Sequence, residues 1–452
     1  MSSNEATEME IEEEQGEEWI KVLGSDQLLI VLHFLPVSGI VAFGLTCHRF
    51  YDLVSSDSLW ARICRREWGE AVVDAWPNSR LRKRSWKQLY AEMLFCGAVA
   101  WHHLEQPDPL PLGRASHSMI NAGGKVFVFG GGCEGGRALG DTWIAPLPSN
   151  TLLTGIHWQL PRIQNPPARF GHSCVYLEDV GLLVLFGGIS DTGTRYLDTW
   201  INDTTAAAAA AAAASSWHLL PVSHSPLARG AHACCYAGDK KVVVFGGIRN
   251  DGARLHDTWV LDLSQEPPSW REVATQASPC ARSGHTLTRI ATNQMVLFGG
   301  RGAHFEVLND VWLLNLQDQR PTWTELSRTI TDEAPSPRAG HSASIIFGNR
   351  ILIFGGEDAR RTKKRDVWVL DPEAVAAAAP SSSSPTCSEK NYGRKFWKKL
   401  RVRGQFPSRT SFHGACSLGT GHAVLVFGGM VDDPSSSGIV FNSGLFLLQL
   451  IP

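Results

Sequence analysis

Hydrophobic positions change period near residue 98, and that change divides the chain. Between residues 19 and 97 apolar side chains recur at helical spacing. Leu28, Leu29, Leu32 and Leu35 run up to Pro36; Ile40, Val41, Phe43, Leu45 and Cys47 follow; Leu53, Leu59 and Trp60 end the series. Ser25 and Asp26 stand where they can cap the first of these helices. From residue 98 the apolar positions form short runs that read as strands, each ending Phe-Gly-Gly: Val126–Gly131, Leu183–Gly188, Val242–Gly247, Met295–Gly300, Ile351–Gly356 and Val424–Gly429. Successive glycine pairs lie 57, 59, 53, 56 and 73 residues apart, the length of a four-stranded unit with its loops.

The runs sit in a constant frame. Ahead of each stands an Arg-x-x-His: Arg114/His117, Arg169/His172, Arg229/His232, Arg282/His285, Arg338/His341, and a one-residue-longer Arg409/His413. Behind five of them a tryptophan follows the second glycine by twelve residues, at Trp143, Trp200, Trp259, Trp312 and Trp368, each preceded by Asp-Thr or Asp-Val. A second tryptophan comes later, at Trp158, Trp217, Trp270, Trp323 and Trp397. One such unit cannot cover its own apolar faces, whereas a ring of them buries each sheet between two others. The glycine pairs suit crowded backbone or positive φ. The sixth unit lacks its last tryptophan, and Trp101 stands upstream with no glycine pair ahead of it. An N-terminal strand through Trp101 is therefore expected to complete the sixth unit by pairing near Leu445–Leu450.

This unit resembles the kelch repeat. The resemblance implies a mainly β chain: a six-bladed β-propeller over residues 98–452, used to bind another protein. The helical stretch resembles an F-box through Leu28-Leu29, Leu35-Pro36-Val37, Leu45-Thr46-Cys47-His48-Arg49-Phe50 and Leu59-Trp60. Trp86-Lys87-Gln88-Leu89-Tyr90 is similar to the tail that often follows one. The F-box usually opens Leu-Pro; here Leu23 is followed by Gly24 and Ser25. This second resemblance implies a small all-α domain over 19–97 that docks a Skp-type adaptor, and through it a cullin. Leu28, Leu29, Leu32, Leu35, Pro36, Leu45 and Trp60 are the expected adaptor contacts. The reading is a target-recognition subunit of a Skp–cullin–F-box ubiquitin ligase; the alternative is a kelch scaffold that engages no ligase. Arg114, Arg169, Arg229, Arg282, Arg338 and Arg409 are either structural within each repeat or candidates for the target-binding face.

Composition narrows the classes. A formal net charge of −2 over 452 residues gives no field that would gather nucleic acid or anionic membrane, and neither partner is expected. Residues 1–18 form an acidic tail, expected to lack order and unlike a signal peptide, so a cytoplasmic or nuclear location is expected. With about twenty residues ahead of the F-box-like stretch, no photoreceptor domain is expected there. The ten cysteines are scattered outside zinc spacing and read as mostly buried thiols, disulfides being the alternative. Six histidines are repeat positions, which points to hydrogen bonding rather than metal. Glu306 and Asp310 match the start of an iron motif found in kelch specifier proteins, but Leu314 stands where the histidine ligand belongs. No catalytic residue, metal or cofactor is expected, and no enzyme. The tracts Ala206–Ala214, Ala376–Ala379 and Ser381–Ser384 read as loop insertions, and Lys390, Arg394, Lys395, Lys398, Lys399, Arg401 and Arg403 as a solvated basic edge around Trp397.

Overall fold

The computed structural model describes residues 23–68, 70, 73, 85–95, 98–148, 153–205, 216–317, 320–327, 333–372, 396–419, 421–433 and 438–451. The acidic tail, the alanine and serine tracts, and Lys390, Arg394 and Lys395 lie outside the described residues. The chain divides into two compact units, with the break between Phe95 and Cys96. No described helix is long and apolar enough to cross a membrane.

Among the described residues the first unit holds five helices: α1 (Ser25–Phe34), α2 (Val37–Gly44), α3 (His48–Val54), α4 (Asp57–Trp68) and α5 (Trp86–Phe95). Pro36 cannot continue α1, and it caps α2. The expected capping of α1 by Ser25 and Asp26 is not what forms. The helix starts at Ser25, Gly24 is its cap, and the Gly24 amide donates to Gln27 Oε1 at 2.9 Å. Leu28, Leu32, Ile40, Val54, Leu59, Trp60, Ile63 and Leu89 are buried together, and the Trp60 indole donates to the Val54 carbonyl at 2.6 Å. Asp57 Oδ1 accepts from the Trp86 amide, tying the start of α5 to α4.

The second unit is the ring of six blades. Blade three is representative: strands Ala233–Gly238, Lys241–Ile248, Arg254–Asp262 and Ser269–Glu272 form one antiparallel meander. Blade six is completed from both ends of the unit. Strand Ala98–His103 pairs antiparallel with Leu445–Ile451, placing Trp101 opposite Leu448, as the orphan tryptophan predicts. A fifth strand, Arg401–Gly404, then lies parallel against Ala98–Trp101, so the basic edge caps that sheet. Charged residues at such an edge discourage pairing with another chain.

Each feature of the repeat has a mechanical role. The first glycine of each pair has φ near +65° and the second near +100°. A Cβ on Gly130 would lie 2.6 Å from the Arg169 carbonyl oxygen of the next blade, and one on Gly131 would lie 2.8 Å from His117 Cβ. The phenylalanine before them packs on two residues of the following blade. Phe129 meets His172 and Trp217, and the pattern runs through Phe186, Phe245 and Phe298 to Phe354, which meets His413 and Trp101, and Phe427, which meets His117 and Trp158. Trp101 thus occupies the sixth outer position in the same contact pattern. The residue before each histidine has positive φ, and their backbones form a closed cycle of hydrogen bonds: Gly171 donates to Ser116, Ala231 to Gly171, Gly284 to Ala231, Gly340 to Gly284, Phe412 to Gly340 and Ser116 to Phe412, at 2.7–2.9 Å.

Candidate protein-docking surfaces

Of the two roles open to the repeat arginines, five of the six take the structural one, which removes those five as candidates for the target-binding face. Arg114, Arg169, Arg229, Arg282 and Arg338 are 0% exposed. Each guanidinium grips the aspartate of its own blade with two nitrogens, Arg229 reaching Asp257 Oδ1 and Oδ2 at 2.7 Å, and donates to the first glycine carbonyl. The same aspartate accepts from the first tryptophan, as Asp257 does from Trp259 at 2.8 Å. Burial alone would raise the pKa of Asp141, Asp257 and Asp366; the arginine hydrogen bonds and charge outweigh it and hold them below the usual value.

Arg409 is different because its extra residue puts it out of register. It is exposed, and Thr410 stands in the arginine's place, its carbonyl set against Gly355 as that of Arg169 is against Gly130. Gly444 stands in the aspartate's place, accepting from the Gly428 amide as Asp141 does from Gly130. Blade six has therefore lost both members of the ion pair, so neither charge is left buried alone.

The repeat histidines are also internal, as expected. His172, His232, His341 and His413 bond through Nε2 to the hydroxyls of Ser118, Ser173, Thr286 and Ser342 on the preceding blade. At His285 and His117 that position is Ala233 or Gly414, and both ring nitrogens are buried without a partner. Burial drives all six below the usual histidine pKa, His232 and His413 to about 3, so the rings are neutral at pH 7. The Glu306–Asp310 pair is no site either, since Asp310 is the partner of Arg282. Among the described residues no cluster of three or more histidine, cysteine or acidic groups is placed to hold a metal.

The inner strands of all six blades surround an open cavity of about 440 Å³. Burial pushes the thiols of Cys174, Cys235 and Cys416 up to about 12, so they are protonated and poorly nucleophilic. Arg289 pairs with Glu178 two blades away and lies over the Tyr236 ring at 5.0 Å. All eight described cysteines are free thiols, and four of them are buried.

The helical unit shows the clearest unpartnered surface. Of the expected adaptor contacts, Leu28, Leu32 and Trp60 are core and no more than 3% exposed, which removes them from the surface. Leu29 and Leu35 are half-buried, Pro36 is exposed and Leu45 is 80% exposed. Other exposed apolar side chains of these helices are Val41, already part of the helical pattern, and four not singled out from the sequence: Ile30 at 55%, Phe34 at 77%, Val31 and Tyr51. The missed signal is a second stripe on α1. Leu28 and Leu32 face inward, while Ile30 and Phe34 repeat the same i, i+4 spacing on the other side, giving a helix apolar on two faces.

An F-box-like family model matches residues 25–66, and the kelch-repeats model named for KLHDC2, KLHL20 and DRC7 matches residues 209–377. An F-box/kelch-repeat protein of Arabidopsis thaliana is 40% identical over 95% of this chain and 92% of its own length. Adagio-like protein 3 of Oryza sativa subsp. japonica is 28% identical over 94% of this chain but only 64% of its own. Among solved structures, YjhT superposes with a TM-score of 0.52 at 14% identity, covering 75% of this chain and 99% of that one, a likeness of fold.

Proposed function

The chain belongs to the F-box/kelch-repeat proteins, and from that premise we propose that it is the target-binding subunit of a Skp–cullin–F-box ubiquitin ligase. The family architecture gives it a substrate-adaptor role in general; the ligase is the specific reading. The observation that carries it is the apolar face on α1–α3, where Ile30, Phe34 and Leu45 stand more than half exposed on a unit too small to waste buried area. A Skp-type adaptor would cover that face, and the propeller would hold the target in the cytoplasm or nucleus. Such a subunit breaks no bonds itself. It raises the effective concentration of a target lysine near a ubiquitin-charged enzyme.

Co-expression with a Skp-type adaptor tests this. The wild-type chain should co-purify with the adaptor, and Phe34→Glu with Leu45→Glu should weaken the complex at least about tenfold. The melting of the propeller should not change. Leu35 and Pro36 replaced together should also lose the adaptor, because the stop between α1 and α2 goes with them. A wild-type chain that binds targets but never the adaptor would favour the scaffold reading instead.

A further inference from the structure

The six blades are six controls for one another: at one bridge of the hairpin, blades one and six carry no charge, whereas blades two to five do. The residue directly after each glycine pair bridges across the hairpin, to the sixth residue beyond it in five blades and to the eleventh in blade six: Gly132 with Ala138, Ile189 with Arg195, Ile248 with Arg254, Arg301 with Val307, Glu357 with Lys363 and Met430 with Phe441. The geometry accepts Gly, Ala, Ile, Val, Met or Phe there, so it does not require Arg254 or Arg301. Arg254 nevertheless reaches into blade four, donating through Nε to Ser283 Oγ at 3.0 Å. Ser283 is the register partner of Arg301 and precedes Gly284 of the axial hydrogen-bond cycle.

Arg254 therefore holds the hydroxyl of the residue that pairs with Arg301, beside the propeller axis. Arg301 is held by Glu357 at 3.2 Å. Arg254 has no carboxylate at ion-pairing distance among the described residues; instead its guanidinium lies 4.6 Å from the centre of the Phe305 ring, which is 67% exposed. Burial, then the charge of Arg301, lowers the pKa of Arg254, and the Glu306 carboxylate nearby opposes both without closing to ion-pairing distance. Arg195, at the same repeat position in blade two, has no ion pair among the described residues either, and its Nε is buried with no hydrogen-bond partner among them. Unpaired, partly desolvated guanidiniums favour a carboxylate, which they can bind with two nitrogens. Phe305 offers a flat apolar neighbour to whatever carries it.

We propose that this rim, built by Arg254, Arg301, Ser283 and Phe305, is the target-docking patch, and that it takes an acidic segment of an extended protein chain. The proposal rests on the reading of the propeller as the target-binding half. The Phe412 ring lies against the glycines of two other blades, 2.8 Å from where a Cβ on Gly340 would be and 3.7 Å from one on Gly284. The axial floor is thus occupied, so a partner lies across it and presents side-chain carboxylates rather than inserting a chain end.

The test uses the full chain with its Skp-type adaptor and fluorescence polarisation of labelled, N-acetylated peptides. The first is a hexapeptide of glutamate and tyrosine with an amidated C-terminus. In the second, glutamine replaces glutamate. The third is the glutamine peptide with a free C-terminal carboxylate. The first should bind at least tenfold tighter than either of the others. Because Arg301→Gln would strand the buried Glu357, the decisive variant is Arg254→Gln, which should lose at least tenfold while Arg254→Lys recovers part of it, with melting checked on the same samples. Equal binding of the first two peptides, preference for the third, or an Arg254→Gln variant that binds like wild type would overturn the patch. Peptide binding by a wild-type chain that never holds the adaptor supports the patch and counts against the ligase alone.

Discussion

Thr142, Thr199 and Thr258 each accept a hydrogen bond from the outer tryptophan of the next blade, Trp217, Trp270 and Trp323, at 3.0–3.1 Å. Where the repeat reads Asp-Val-Trp, the acceptor is missing. Val311 and Val367 leave the buried indoles of Trp397 and Trp101 without a partner. Val311→Thr and Val367→Thr keep the shape and supply the oxygen, so each should add about 1 kcal/mol and raise the melting temperature by about 2 °C. A drop in melting temperature would mean the new hydroxyl is buried unsatisfied instead. Ala233→Ser should act similarly on His285, which lacks the hydroxyl that His232 has from Ser173. The ion pairs are tested by a contrast. Arg229→Met strands the carboxylate of Asp257 and should cost about 3–5 kcal/mol, whereas Arg409→Ala, at an exposed position, should stay within about 0.5 kcal/mol of wild type in a urea titration.

At the scale of elements, the strand Ala98–His103 carries more than its own six residues. It places Trp101 on Phe354 of blade five, pairs with Leu445–Ile451, and is itself covered by Arg401–Gly404. A chain truncated to begin after Leu112 should aggregate or melt more than 10 °C lower, since a buried indole of this size is worth about 3–5 kcal/mol and a sheet edge is bared. One that begins at Gly97 should remain a monomer. Size-exclusion chromatography and thermal melting of the two would decide, and equal stability would remove the strand from the closure of the ring.

The whole propeller is poised to fail in acid, and the direction follows from its histidines. Unfolded, a histidine takes up a proton near pH 6.5. Folded, His232 and His413 do so only near 3, and the other four also lie well below their usual value. Below pH 6.5 the unfolded chain therefore binds more protons, and stability falls as the pH drops, by about 1.4 kcal/mol per unit for each histidine. His232 and His413 alone amount to about 5–6 kcal/mol by pH 4.5, comparable to the whole stability of many domains. The depressed carboxylates of Asp141, Asp257 and Asp366 add their loss only at lower pH, below the ordinary aspartate range. Tryptophan fluorescence followed against pH should show steep, cooperative unfolding between about pH 6 and 4. A native signal that stays flat down to pH 4.5 would mean the rings titrate normally.

Much of this was legible in the linear chain because a repeat is a local signal copied six times. Spacing alone identified the blades, the glycine pairs and the histidines as structural, and the orphan Trp101 identified the closing strand, since each depends on residues at fixed offsets along a strand. What the chain could not reveal was which way a side chain faces when two faces carry the same chemistry. Leu28 and Phe34 are both apolar residues of one helix, and only packing against α4 and its neighbours puts the first in the core and leaves the second outside. The repeat arginines likewise look like surface charge until the fold brings Asp257 to Arg229 from 28 positions along the chain. Arg254 and Arg301 acquire their meaning only in the closed ring, because Arg254 reaches the hydroxyl of Ser283 in the next blade and Ser283 is the register partner of Arg301, a juxtaposition made by tertiary contact alone.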